Sequence, residues 1–215
     1  MVTILENHPS VLNQFLIEVR DINQQSNRLV FRNNIERIGE ILAYEISKTL
    51  DYSKTNTQTP LGESPELELT QHPIIISILR AGIPLHNGML KIFDHAGNGF
   101  IGASRVKSDQ KETQVHVGYE AWPPLDNEIV IVADPMLATG TSLDQTIASI
   151  LNSSKPKEVH IACVIAYEGA LNELHKKYPE VNFWIAGVDK SLNEKNYIYP
   201  GLGDAGDLAY GSKIQ

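Results

Sequence analysis

Ile129-Val130-Ile131-Val132-Ala133-Asp134-Pro135-Met136-Leu137-Ala138-Thr139-Gly140-Thr141-Ser142 is the stretch whose reading decides the fold. The run from Ile129 to Ala133 is too short for an ordinary helix and rich in β-branched residues, which predicts a buried parallel strand. An acidic residue, Asp134, closes the run, and small residues follow it. Gly140, Thr141 and Ser142 supply a flexible turn, two hydroxyls and an N-cap for a helix predicted over residues 143–151. The first amides of such a helix have no partner within it, and the positive end of its dipole lies beside them. An anion suits that place, phosphate foremost, while Asp134 at the carboxyl end of the strand can face hydroxyls or a metal near the same ligand. The combination points to a sugar phosphate.

Outward from this stretch, the chain alternates strands and helices. Val11, Leu12, Phe15, Leu16 and Val19 follow helical spacing, and Ile35, Ile38, Leu42 and Ile46 repeat it one helix later. Residues 51–70, rich in Thr, Ser, Pro and other polar residues, hold no sustained period and read as a loop or an irregular hairpin. A buried strand is predicted over 73–79, a helix over 85–93 and a short strand over 100–103. Residues 104–119, with a polar tip from Lys107 to Glu112, read as a mobile hairpin. Beyond the opening stretch come a strand over 159–166, a helix over 170–178, a strand over 181–188 and an irregular, glycine-rich tail. The expected fold is α/β, a mostly parallel sheet covered by helices on both faces, with ligands beyond the carboxyl ends of the strands. A length of 215 residues suits a single domain over 1–215.

Composition narrows the partners. With 26 acidic against 18 basic residues, the net charge of −8 repels polyanions, so nucleic acid is disfavoured. The lone cysteine, Cys163, sits in an apolar run, supports no internal disulfide and reads as a small buried hydrophobe, as suits a reducing cytoplasm. No window approaches the roughly eighteen apolar residues of a membrane span, and Glu6 and Asn7-His8 directly follow the short apolar start, so neither export nor a membrane is expected. His8, His72, His86, His95, His116, His160 and His175 are scattered without zinc-like spacing, so no protein-held metal cluster is expected.

Three segments, in order along the chain, carry a resemblance. Ile78-Leu79-Arg80-Ala81-Gly82 resembles the pyrophosphate loop of type I phosphoribosyltransferases. Asp134 to Gly140 resembles the ribose-phosphate loop in its uracil phosphoribosyltransferase form, where Pro135 replaces the second acid of other type I relatives. Tyr197-Ile198-Tyr199-Pro200-Gly201-Leu202-Gly203-Asp204-Ala205-Gly206-Asp207 resembles the uracil-binding signature. The resemblance covers residues 8–211 and implies the type I phosphoribosyltransferase fold, with a flexible hairpin arm and a hood built from the N- and C-terminal segments.

By that resemblance the chain is expected to convert uracil and phosphoribosyl pyrophosphate to uridine monophosphate and pyrophosphate in pyrimidine salvage. Asp134 would bind the ribose hydroxyls and support a developing cation, with Arg80 and Asp204 as the other catalytic residues. Thr139, Gly140, Thr141 and Ser142 would hold the 5′-phosphate, Pro135 to Ala138 (Pro135, Met136, Leu137, Ala138) would contribute mainly backbone, and Arg105 at the base of the arm would join Arg80 on the phosphoribosyl pyrophosphate. Ile198, Gly203, Asp204 and Ala205 would read uracil through backbone groups, and Asp204 would also face the diphosphate and its metal. Magnesium is expected through the diphosphate and water, with no protein ligand set of its own. The family's loop also implies a non-proline cis peptide, expected near Arg80–Ala81.

Four positions depart from the family pattern: Ser77 for proline, Thr141 for glycine, Leu208 for a basic residue, and the arm sequence after Arg105. Thr141 resists positive φ, so the loop must take a form that β-branched residues tolerate. Relatives are commonly homodimers or larger, which implies a homo-oligomer. Some are activated by guanosine triphosphate, but no motif here marks an effector site and the altered arm argues against carrying that regulation over. Two competitors remain open at this point. One is an RNA-binding regulator on the same fold, which the acidic charge disfavours; the other is a transferase for a different base, which the tail disfavours.

Overall fold

The chain opens with strand β1 (Val2–Ile4), a 3-10 turn at Leu5–Asn7, and helices α1 (Val11–Arg20), α2 (Ile22–Gln25) and α3 (Arg28–Ser47). The first and third helices begin where side chains satisfy free amides: Ser10 Oγ accepts from Leu12, and Asn27 Oδ1 accepts from Leu29 and Val30. Then follow β2 (Tyr52–Thr59), β3 (Gly62–Leu69), β4 (Ile74–Leu79), α4 (Gly82–Leu90), β5 (Gly97–Lys107), β6 (Thr113–Ala121), β7 (Ile129–Ala133) and β8 (Met136–Leu137). The chain ends with α5 (Thr141–Ser153), β9 (Glu158–Tyr167), α6 (Glu168–Lys177), β10 (Asn182–Asp189), β11 (Ser191–Leu192), β12 (Ile198–Tyr199) and α7 (Ala205–Tyr210). This computed structural model describes residues 1–107 and 113–213, with side chains described outside 103–118.

The main sheet runs β1-β10-β9-β7-β4-β5-β6, with β8 beside β9, and every pairing but β5 with β6 is parallel. Its central strands are apolar at consecutive positions because helices cover both faces. Ile129, Ile131 and Ala133 of β7 face a cluster built with α1, α3 and α4, whereas Val130 and Val132 face one built with α5 and α6. The N-terminal helices and the tail meet on the first of these faces, where Ile198, Leu202, Ala205 and Ala209 join Leu16, Phe31 and Ile35. Arg32 binds the carbonyl of Ala209 there at 2.7 Å. This is the hood expected from the terminal segments.

Residues 51–70 correct the expectation of a loop or irregular hairpin. They form a regular antiparallel hairpin, paired without interruption from Tyr52↔Leu69 to Thr59↔Gly62. Its side chains are exposed or half-buried on both faces, so no hydrophobic alternation marks it in the sequence. Helix α4 likewise begins at Gly82, earlier than expected, and β5 extends from Gly97 through Lys107. Among the described residues no helix is long and apolar enough to cross a membrane.

Candidate active site

Strand β4 lies between β5 and β7, with Ser77 paired to Phe100 on one side and to Ala133 on the other. The chain leaves β4 to build β5 on one flank and returns to build β7 on the opposite flank. A crevice opens at the carboxyl ends of two strands where the order reverses in this way. Both of the first two motifs leave the sheet there, Arg80 directly after β4 and Asp134 directly after β7. The loops touch, since a Cβ on Gly82 would lie 2.6 Å from the carbonyl oxygen of Ala133.

The loop after β7 is shaped by its acid. Asp134 is buried, its amide donates to Ala162 at 3.1 Å, and its Oδ1 accepts from the amide of Met136 at 3.2 Å, which turns the chain. Met136 and Leu137 then run parallel to β9, and Gly140 takes the left-handed conformation (φ 81°) that ends the loop. Thr141 is already the first residue of α5, so the positive φ falls on the glycine before it. That is why threonine is tolerated at this position. The first intrahelical bond runs from Asp144 to the Gly140 carbonyl, and no side chain caps the helix. Its first amides, with the Thr139 and Thr141 hydroxyls 3.1 Å apart, therefore border a pocket lined by Asp134 and by Met136 to Leu143.

The loop after β4 carries the expected non-proline cis peptide, at Leu79–Arg80. Ala81, the N-cap of α4, already has helical angles (φ −63°, ψ −29°). Arg80 reaches across to the tail, donating to Asp207 Oδ1 and to the Gly211 carbonyl, each at 3.2 Å.

The tail is more regular than expected. β11 and β12 pair antiparallel, and Asp204 caps α7 by accepting from the Asp207 amide at 3.0 Å. Six residues are too few for helical periodicity to show in the sequence. Ile198, Leu202 and Ala205 are buried in the same apolar cluster that Ala81, Met136 and Ala138 pack against. Arg80, the Asp134–Ser142 loop and the Ile198–Ala205 segment are thus gathered at one end of the sheet. Leu208 also packs against this cluster, which accounts for an apolar residue at this position.

Arg105 lies on β5 opposite Val115, with its side chain outside the described residues; the arm tip, 108–112, lies outside them as well. Cys163 is fully buried, and burial followed by nearby Asp134 pushes its thiol well above the usual range, which disqualifies it as a nucleophile. Among the described residues no three His, Cys, Asp or Glu side chains gather around a common point for a metal. Asp134 in the pocket and Asp204 in the tail, where Lys213 lies 3.5 Å from its Oδ2, offer the one or two carboxylates that magnesium uses beside phosphate oxygens and water. Sequence reasoning missed Asp207, the partner of Arg80, and the pair Arg20 and Asp189 behind the tail. Their spacings of 127 and 169 residues leave no local signal.

Comparison with known proteins agrees with this arrangement. A family model described as uracil phosphoribosyltransferase matches residues 6–212. A curated uracil phosphoribosyltransferase from Porphyromonas gingivalis is 44% identical over 207 residues, 95% of each chain. A solved protein from Aquifex aeolicus superimposes with a TM-score of 0.87 at 30% identity over 100% of both chains. A hypoxanthine phosphoribosyltransferase from Staphylococcus aureus, 13% identical, shares the fold at a TM-score of 0.50 over 80% of this chain and 85% of its own. The match along nearly the whole length, on a sheet whose switch-point loops carry the expected residues, makes this chain a member of the uracil phosphoribosyltransferase family.

Proposed function

We propose that this chain joins a ring nitrogen of uracil to the anomeric carbon of phosphoribosyl pyrophosphate, releasing pyrophosphate and forming uridine monophosphate for pyrimidine salvage. Such a displacement develops positive charge on the ribose and negative charge on the leaving diphosphate. It is served by positioning and preorganised dipoles more than by covalent chemistry. The uncapped amides of α5 and the hydroxyls of Thr139, Thr141 and Ser142 bind the 5′-phosphate. Asp134 holds the ribose hydroxyls and lowers the energy of the developing cation. Arg80 neutralises the diphosphate, joined by Arg105 from the arm.

The backbone at Ile198, Gly203, Asp204 and Ala205 reads uracil. A cytosine amino group there places a donor where an acceptor is needed, a mismatch of about 1–3 kcal/mol. Asp134 and Asp204 would flank magnesium, which when bound neutralises diphosphate charge while keeping much of its water.

The observation that carries this reading is the convergence of three separate loops at the switch point of the sheet, two of them linked through Arg80 and Asp207. The experiment is product formation by purified protein with phosphoribosyl pyrophosphate and uracil, cytosine or hypoxanthine. Uridine monophosphate from uracil alone supports the reading, whereas transfer to hypoxanthine overturns it.

The protein works as a homodimer or larger homo-oligomer in the cytoplasm. Support for self-association comes from the β2–β3 hairpin, whose Leu61 is fully exposed and Leu67 67% exposed. A lone two-stranded hairpin is marginal in water, and a second copy would cover it.

A further inference from the structure

One ion pair grips both backbone groups of a single residue in the tail. Asp189, the last residue of β10, is 7% exposed, and Arg20, the last residue of α1, reaches it with both nitrogens of its fork. Nη1 donates to Oδ2 at 2.8 Å and Nη2 to Oδ1 at 3.1 Å. The same Nη1 donates to the Gly201 carbonyl at 3.0 Å, and the Gly201 amide donates to Asp189 Oδ2 at 3.0 Å. Gly201 itself is left-handed (φ 59°) and packs against the Ile198 carbonyl, so a side chain has neither the angle nor the room. The neighbouring residue on β10 is fixed too, since the Val188 amide donates to Glu6 Oε1 at 2.7 Å.

Charge-assisted, bidentate bonds of this kind set orientation more sharply than neutral ones. Here they act on a residue three positions after Ile198 and two before Gly203. With both its amide and its carbonyl bonded to the pair, Gly201 gives the amides and carbonyls that follow a held starting point and direction. Neither Arg20 nor Asp189 is among the residues assigned to the base.

We propose that Arg20 and Asp189 are positioning residues for base recognition: the pair anchors Gly201 and so sets where the Gly203–Ala205 backbone meets the pyrimidine edge. The inference rests on the reading of the tail as the uracil site. It assigns the hood helix α1 a role in base affinity and selectivity. The ribose-phosphate contacts and Arg80 hang from β7 and β4, so only Asp204 connects the diphosphate to the segment that the pair anchors.

The test is steady-state kinetics on Arg20→Lys, Asp189→Asn and the double variant Arg20→Met/Asp189→Leu, with KM for uracil and for phosphoribosyl pyrophosphate measured separately. The double variant removes both charges together, so it leaves no uncompensated buried ion to unfold the chain. The expected result is a uracil KM raised about tenfold or more, as a small misplacement of recognition groups produces, with a clearly smaller rise in the phosphoribosyl pyrophosphate KM, which the pair reaches only through Asp204. Discrimination against cytosine should fall in parallel, and Arg20→Lys should lie between wild type and the double variant. Gly203→Ala serves as the control for the tail. If Gly203→Ala raises the uracil KM and the pair variants do not, the anchoring role is overturned while the base site stands. If none of the variants moves the uracil KM, the tail does not read the base and both fail. Equal rises in both KM values, tracking a lowered thermal midpoint, would show a merely structural pair and overturn the proposal.

Discussion

Arg80 and Asp207 are ion-paired at 3.2 Å across the mouth of the crevice, and the same guanidinium nitrogen holds the Gly211 carbonyl. The arginine assigned to diphosphate is thus already bound to a carboxylate of the chain's own tail. Incoming diphosphate must displace Asp207 or share the arginine with it. Both side chains are partly solvent-exposed, at 42% and 33%, so the pair contributes at most about 1 kcal/mol.

Asp207→Asn should therefore tighten diphosphate binding, and by no more than about fivefold, since a larger gain would exceed what an exposed pair stores. Titration calorimetry with inorganic pyrophosphate at low and moderate salt is the check. The advantage should shrink as salt rises. Weaker binding by Asp207→Asn would mean that Asp207 helps to hold the ligand rather than competing with it.

Asp134→Asn should lower kcat at least about tenfold while leaving the fold intact, because the carboxylate's charge matters most when the ribose becomes cationic. The amide oxygen of asparagine can still accept from Met136, so the turn survives. Turnover and thermal midpoint measured on the same preparation separate the two effects. An unchanged kcat would remove Asp134 from the chemistry.

The central strands β4, β7, β9 and β10 were legible in the sequence for a common reason: they are buried on both faces, so continuous apolar runs such as Ile129–Ala133 stand out, and the small-residue loop after β7 is set off by the run before it. The β2–β3 hairpin was not, because exposure on both faces leaves no hydrophobic period to read. Helix α7 was hidden by its shortness and by the glycines around it. Arg80, Asp134 and Asp204 could be picked out because each sits in a distinctive local pattern. Arg20, Asp189 and Asp207 could not, since what they do depends on partners 127 to 169 residues away.

The hairpin supplies a prediction about assembly. Leu61→Lys/Leu67→Glu places charge on two exposed apolar positions. If a second copy covers them, the variant should sediment as a smaller species than wild type. Its helix and sheet content should stay unchanged by circular dichroism. Identical sedimentation of the two proteins would place the oligomer contact elsewhere.

Gly140→Ala isolates the backbone demand of the phosphate loop. A Cβ there would find its nearest neighbour, Leu174 Cδ1, at 3.4 Å, so space is adequate and the cost comes from φ at 81°. About 1–2 kcal/mol of destabilisation is expected from a left-handed alanine. The KM for phosphoribosyl pyrophosphate should also rise as the amides of α5 tilt. Chemical denaturation and the KM measurement check the two parts independently. Wild-type values for both would show that the loop relaxes at no cost.

His160 predicts how stability responds to acid. It is almost fully buried, its Nδ1 accepts from Trp184 Nε1 at 3.0 Å, and its Nε2 therefore carries the proton and donates to Glu158 at 3.1 Å. Burial lowers the pKa of the imidazole, Glu158 pulls it back up in part, and the amino terminus adds to the lowering. Protonation would also set an N–H on Nδ1 against the Trp184 N–H. The neutral ring is favoured in the fold, whereas the unfolded chain takes up its proton near pH 6.5. Below that pH the unfolded state binds more protons, so stability falls with falling pH, and the loss stops growing once the folded pKa is passed. The slope from this one group cannot exceed about 1.4 kcal/mol per pH unit. His86, whose pKa burial also lowers, pushes in the same direction, so the informative quantity is a difference between proteins. His160→Gln keeps an acceptor for Trp184 and does not titrate, so its unfolding free energy should be flatter than that of wild type between about pH 7 and pH 5. Parallel pH profiles for the two proteins would show that the His160 pKa is the same folded and unfolded.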